Sequence, residues 1–260
     1  MTVDPSMTIR QTIRKEMVDL DEEELFEIRM DDRLVNMDHT FEEEEIWDAA
    51  NLTLQIITYD TITPEFLFTS IMEYNPQCDA ERVYTQVHKN RDHRYQGGLD
   101  LSNCGLKNLP ESFGLLTHTD LNLSHNELEA LPESFGSISV TRKTRSIDLS
   151  YNRLRALPKN FGGWRVKVYS DGGRGPHPPE WWRPEFQGDL SLHDNELETL
   201  PESFGDLQIR GRLNLANNNL TSLPDSFENM KVRETLNINN NPLSEPSIYH
   251  LLRFAKNNDE

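Results

Sequence analysis

Apolar and polar positions along the second half of the chain follow one recurring phrase. Leu121 and Leu123 alternate with Asn122 and Ser124, then Asn126 and Leu128 follow, and the same order, L-x-L-x-x-N-x-L, begins at Leu99, Leu121, Ile147, Leu190, Leu213 and Leu236. Alternation at period two predicts a short strand with one buried face. Behind five of these strands comes a second phrase: Leu109-Pro110-Glu-Ser-Phe113, Leu131-Pro132-Glu-Ser-Phe135, Leu157-Pro158-Lys-Asn-Phe161, Leu200-Pro201-Glu-Ser-Phe204 and Leu223-Pro224-Asp-Ser-Phe227. The strand starts are 22, 26, 43, 23 and 23 residues apart, so the period is near 23. No unit of that length buries its leucines alone; each needs a neighbour above and below, and parallel strands stacked about 4.8 Å apart supply it.

Asn126, Asn152, Asn195, Asn218 and Asn241 hold one column of the repeat. A primary amide has two donors and an acceptor, the set required to satisfy backbone groups at a tight bend after a strand. Cys104 takes that place in the first copy, and as a small, weakly donating side chain in a buried slot it reads as structural.

On these residues, 97–243 resembles the leucine-rich repeats of the Ras-group-like type, L-x-x-L-P-x-S-F, found in intracellular scaffold proteins. The resemblance implies an α/β architecture: a curved right-handed solenoid of about six repeats, with parallel strands on its concave side and short helical turns or extended segments on its convex side. It implies no catalytic residues and no single partner.

The rest of the chain reads as flanking structure. Residues 1–62 form an acidic region expected to be mostly helical or partly disordered. Within it, Ile9, Ile13, Met17 and Leu20 share a helical face, Thr40 with Glu43 makes a capping-box pattern, and Leu52 to Tyr59 reads as helix or strand. Residues 63–96 read as a helical N-terminal cap, with Thr63-Pro64 opening one helix and Asp79 the next. Residues 244–260 read as a C-terminal capping helix that covers the last strand with Ile248, Leu251, Leu252 and Ala255. Caps are needed because a solenoid otherwise exposes apolar surface at both ends.

One step is irregular. Between Ile147 and Leu190, 43 residues stand where 23 are expected, and the surplus at 168–187 carries a Gly-, Pro- and Trp-rich run with no strand or helix period. It reads either as a loop with Trp181 and Trp182 as a binding hot spot or as a retained in-frame intron, since removing Val168 to Gln187 restores the period.

The formal charge of −18 sits mainly before the repeats: residues 1–96 carry 22 acidic and 9 basic side chains, residues 97–260 carry 22 and 17. That disfavours nucleic acid and anionic lipid as partners, and leaves a basic protein surface as a candidate partner for the N-terminal part, the alternative being a solvated acidic face. No run approaches a membrane span, no secretion signal opens the chain, and two cysteines are too few for the disulfide caps of extracellular repeats. The expectation is a cytoplasmic, monomeric protein without cofactor or metal.

The expected function is a protein-protein interaction scaffold or adaptor. Its concave face would present Asp100, Asp120, Asn122, Asp148, Tyr151, Asp189, Ser191, His193, Asp194, Asn214 and Asn237, with only Arg212 opposing the aspartates. A regulatory subunit of an enzyme or small GTPase is the alternative. A less favoured one is an enzyme with a site near His125, Tyr151, His193 and Asp194; no nucleophile, base and orienting group can be read together from the spacing.

Overall fold

The computed structural model describes residues 25–30, 33–34, 52–57, 63–89, 98–118, 120–141, 144–167 and 185–258. Its elements in chain order are β1 (Leu25–Met30), β2 (Arg33–Leu34), β3 (Leu52–Ile57), α1 (Pro64–Tyr74), α2 (Ala80–Lys89), β4 (Leu99–Asp100), β5 (Thr117–His118), β6 (Leu121–Asn122) and β7 (Ser139–Thr141). Then come β8 (Ser146–Asp148), β9 (Arg165–Lys167), β10 (Asp189–Ser191), β11 (Gln208–Ile209), β12 (Leu213–Asn214), β13 (Lys231–Val232), β14 (Leu236–Asn237) and α3 (Glu245–Asn258).

The six repeat strands form one parallel sheet in the order β4-β6-β8-β10-β12-β14, in the register Leu99, Leu121, Ile147, Leu190, Leu213, Leu236. This is a leucine-rich-repeat solenoid. Leu121 and Leu123, like their equivalents in most repeats, are fully buried. Behind the sheet runs a ladder of rings: Phe135 to Phe161 at 6.3 Å, Phe161 to Phe204 at 5.9 Å and Phe204 to Phe227 at 6.5 Å between centroids, each pair near-parallel.

The Leu-Pro-x-Ser-Phe phrase makes the turn that carries each ring. Pro110, Pro132, Pro201 and Pro224 sit in extended backbone immediately before the 3-10 turns Glu111–Leu115, Glu133–Ser137, Glu202–Asp206 and Asp225–Asn229, and the Phe amide donates back to the proline carbonyl at 2.9–3.1 Å. Glycine follows the ring because the next repeat presses on it. A Cβ at Gly162 or Gly205 would lie 1.6 or 2.1 Å from a carbonyl oxygen of that next turn. The last copy has Glu228 there instead, where α3 takes the place of a further turn; its carboxylate accepts from Arg253 of α3 at 3.2 Å.

The asparagine column ties the layers. Asn152 Oδ1 accepts from the Leu128 amide of the preceding repeat at 3.1 Å, while its Nδ2 donates to the Leu123 carbonyl at 3.0 Å and the Leu149 carbonyl at 3.1 Å. Asn126, Asn195, Asn218 and Asn241 make the same bridge. Cys104, with no preceding repeat to bridge, needs none of those bonds, and the N-terminal cap replaces them. Asn75, after α1, accepts from the Lys107 and Asn108 amides at 2.7 and 3.1 Å and donates to the Asn108 carbonyl at 2.9 Å.

The 43-residue step leaves the concave sheet intact: β8 and β10 pair directly, Ile147 against Leu190. On the other side of the solenoid it splits a second ladder. Strands β5-β7-β9 form one small sheet and β11-β13 another, and Phe186 forms the parallel bridge to Ile209. Phe186 is buried and meets Trp164 edge to face at 5.5 Å, and Glu185 pairs with Arg233. Residues 185–187 therefore belong to the repeat structure, whereas 168–184, with Trp181 and Trp182, lie outside the described residues.

Both caps are helical, with corrections. Thr63 Oγ1 accepts the Phe66 amide at 3.0 Å at the start of α1, and Leu67, Ile71, Val83 and Val87 face the first repeat fully buried. In α3 the covered residues are Ser247 and Phe254, with Leu251 partly buried; Phe254 ends the ring ladder 5.6 Å from Phe227. Ile248, Leu252 and Ala255, read as core-facing, are exposed instead. The helix docks on the ring ladder rather than on β14, which rotates its buried stripe by about a quarter turn. In residues 1–62 the described segments, 25–30, 33–34 and 52–57, are strands in the antiparallel order β2-β1-β3, and Leu52–Ile57 of the segment read as helix or strand forms β3. The Ile9–Leu20 face and the Thr40–Glu43 capping box lie outside the described residues.

Candidate interaction surface

Every second residue of the concave strands faces outward, giving the row Asp100, Asn122, Asp148, Ser191, Asn214 and Asn237. Most of these side chains first serve their own bend. Asp100 Oδ1 accepts from the Ser102 amide at 3.1 Å and hydroxyl at 2.7 Å; Asn122 holds Ser124, and Asp148 holds Ser150, in the same way. Asn214 and Asn237 accept from the amides of Ala216 and Asn239. An acceptor two residues upstream of a tight bend satisfies an amide that the strand ladder leaves free. Asp and Asn are interchangeable in that task, which explains why both fill the row.

Asp120 and Asp189 enter the strands one residue earlier and bind the next repeat. Asp120 takes the Arg145 amide at 2.7 Å and its guanidinium at 2.9 Å; Asp189 takes the Arg212 amide at 2.8 Å. Arg212 is therefore not the sole cation opposing the concave aspartates, because Arg145 pairs with Asp120. The sequence alone does not show this: Arg145 belongs to the irregular 26-residue step, outside the repeat's own columns. Among the described residues no cation pairs with Asp148.

A second column, at the bend, departs from generic filling. Asn103, His125, Tyr151, Asp194, Asn217 and Asn240 all have φ between 53 and 58°. Asn and Asp tolerate this left-handed region; a tyrosine there carries strain. His125 stacks on Tyr151 with centroids 4.3 Å apart and planes within 8°. Tyr151 meets the His193 ring edge to face at 5.1 Å. His193 Nδ1 lies 2.6 Å from Asp194 Oδ2, and because a carboxylate only accepts, Nδ1 carries the proton of this bond. Asn217 Nδ2 donates to Asp194 Oδ1 at 3.1 Å, and Asn240 Nδ2 to Asn217. The His193 hydrogen bond, with help from Asn217, holds the Asp194 carboxyl below the usual carboxylate range.

Tyr151, His193 and Asp194, with His125, are thus one connected patch; Ser191, Asn214 and Asn237 continue the floor beside it. Ser150, the hydroxyl in the neighbouring repeat's equivalent of His193, donates to Asp148 Oδ1 at 2.6 Å, so it is not aligned on the imidazole. Burial pushes both free thiols up, Cys104 to about 11, which keeps them protonated and unreactive. Among the described residues no three His, Cys, Asp or Glu side chains gather as a metal would need, and no helix is long and apolar enough to cross a membrane. Arg82 is a further contributor that periodicity misses: from α2 its Nη2 donates to Ser102 Oγ at 3.2 Å, an approach set by how the cap docks.

Residues 212–230 match the family model described as Leucine Rich Repeat. The chain matches no curated protein. Among solved structures it is similar to the Toll–Spatzle complex of Drosophila at 27% identity and TM-score 0.34, covering 56% of this chain and 20% of that one. It is also similar to YopM from Yersinia enterocolitica at 21% identity and TM-score 0.37, covering 70% and 39%, and to the leucine-rich effector YopM from Yersinia pestis at 19% and 0.25, covering 71% and 67%. The chain thus spans well under two thirds of the first two structures. By its repeats, its six-stranded parallel sheet and the model matched at 212–230, the chain has the leucine-rich-repeat solenoid fold.

Proposed function

We propose that the chain is a protein-interaction scaffold or adaptor whose concave face takes a basic segment of a partner protein. The observation that carries the reading is the departure of one patch from an otherwise generic sheet. His125, Tyr151 and His193 replace the small polar residues of their columns in three successive repeats, and they touch one another. Large planar side chains fixed by their neighbours are favoured interaction anchors. The net acidic charge of the chain, and an Asp148 that pairs with no cation among the described residues, support a basic partner. Rim charges of this kind speed encounter more than they add affinity.

A photo-crosslinking residue at Asn214 on the concave floor, compared with one at Lys159 on the convex side, tests it. The expected result is capture of a basic protein from the concave position only, with association that slows as salt rises. Capture from Lys159 alone, or salt-insensitive association, overturns the proposal.

A further inference from the structure

The two ends of the repeat stack are finished differently. At the first repeat the layer is sealed: Leu99, Leu101 and Leu106 are at most 2% exposed, and Val83 and Val87 of α2 are fully buried. At the last repeat the same columns, Leu236, Ile238 and Leu243, are only partly buried, although Leu213, Leu215 and Leu220 one layer back are fully buried. The helix that serves as cap there, α3, docks on the ring ladder instead. It adds Ile248 and Leu252, 49 and 62% exposed, on the flank opposite His250 and Arg253, which pair with Asp225 and Glu228 of the last convex turn.

Among the described residues β14 also ends the sheet. Alternate residues of a strand turn their amide and carbonyl to opposite sides. Leu213 and Leu215 donate forward, to the Thr235 and Asn237 carbonyls at 2.9 and 2.7 Å. Their counterparts Leu236 and Ile238 therefore direct both groups away from β12. Edges of this kind are commonly blunted by charge or proline. Residues 235–241 contain neither.

Two observations choose the occupant. The edge is self-complementary: run antiparallel about a two-fold axis at Asn237, Leu236 of one copy meets Ile238 of another, and each pair exchanges two backbone bonds. Because the first layer is sealed, a second copy has only its own β14 to offer, and such a pairing closes at two instead of growing into a fibre. Charge agrees. Residues 231–260 hold four basic and four acidic side chains, against 22 acidic and 9 basic in 1–96, so two chains of net −18 repel least at this end. Independently of what the concave face takes, we infer that β14 pairs with β14 of a second copy, joining two six-stranded sheets into one, in place of the monomer expected from the sequence.

The experiment follows the mass of the full chain by sedimentation equilibrium over a dilution series. The expected result is a monomer–dimer equilibrium that stops at two. Asn237→Asp sets two carboxylates against each other at the two-fold axis, and like charges directly opposite destabilise a strand pair. It should raise the dimer dissociation constant about three-fold or more at low salt, and added salt should narrow the gap. The change keeps the acceptor that holds the Asn239 amide, just as Asp148 holds Ser150 from the same position. Asn214→Asp, one strand inward, should leave the constant nearly unchanged. Asn237→Cys should give a disulfide-linked dimer on mild oxidation, and Asn214→Cys none. A single chain mass at every concentration overturns the dimer. Mass rising past two, or a dimer that tolerates Asn237→Asp and leaves Asn237→Cys unlinked, overturns pairing through β14.

Discussion

The two sides of the solenoid respond differently to the same 43-residue step. On the concave side β8 and β10 pair in the register of every other step, and six strands run without a break. On the convex side the ladder divides: β9 stays with β7, and Phe186, from the far end of the insertion, takes the position beside Ile209 that a regular repeat would give to β9. The difference follows from what each side requires. The concave strands are locked by buried leucines above and below and by the asparagine bridges, so a change of register there would strand several backbone groups at once. The convex segments are short and joined by single turns, and closing a longer loop between them costs little. The step is therefore absorbed without changing the register of the concave sheet, and Tyr151 and His193 remain neighbours across it.

The ring ladder is where both sides depend on one another, so breaking it has the largest effect. Phe204 is fully buried between Phe161 and Phe227. Phe204→Ala should cost about 3–5 kcal/mol in urea unfolding, the range for emptying an aromatic site in a rigid core. A loss below 1 kcal/mol would mean that the convex turns collapse around the space and that the two sides are less coupled than the geometry indicates.

The insertion itself gives a sharper comparison. Exchanging residues 168–184 for a short Gly-Ser linker should leave stability close to that of the full chain. Removing 168–187 outright also takes Phe186, worth about 1.5–3 kcal/mol of burial, and leaves only a smaller valine of β9 to pair with β11. The period alone makes that second deletion look harmless; the structure does not. Equal stability of the two variants would show that β9 replaces Phe186 without loss.

Next in size is the asparagine column. Asn152→Ala strands the Leu128 amide, leaves the Leu123 carbonyl only its bond from Asn126, and should cost about 1–3 kcal/mol. Asp148→Asn, two strand positions before the bend, should cost almost nothing, since it keeps the Oδ1 acceptor. Matching urea midpoints for Asn152→Ala and the unaltered chain would remove the bridge from the account.

How much of this was readable from residues depends on whether a local rule or a docking event decides. The sheet, its register and the asparagine bridge follow from period and amide chemistry, so Leu121, Ile147 and Asn152 fall where the spacing puts them. The site residues were visible as columns, but their pairing was not: Asp120 meets Arg145, and Ser102 meets Arg82, through irregular steps and a cap whose angle no local pattern encodes. The same limit explains α3, whose amphipathic stripe is ambiguous until Phe254 finds the end of the ring ladder, leaving Ile248 and Leu252 outside. In residues 1–62, segments such as Leu25–Met30 are too short for period to separate helix from strand.

The smallest expected effect separates the patch from the generic bends beside it. Asp194 is held below the usual carboxylate range by His193 first and Asn217 second. A carboxyl whose folded value is depressed adds stability above its unfolded pKa of about 3.9, and that stability is lost as pH falls through the lower folded value. Asp194→Asn does not disturb the backbone, because Asn217 and Asn240 occupy the same left-handed position with φ 55 and 58°. The variant should therefore unfold at slightly lower urea than the unaltered chain at pH 7, by well under about 1 kcal/mol for a partly exposed pair. The gap should close as pH is taken from 5 to below 3. A gap that persists in acid would mean that the Asn substitution disturbs packing around Tyr151, and that the His193–Asp194 bond is not what distinguishes this bend from its neighbours.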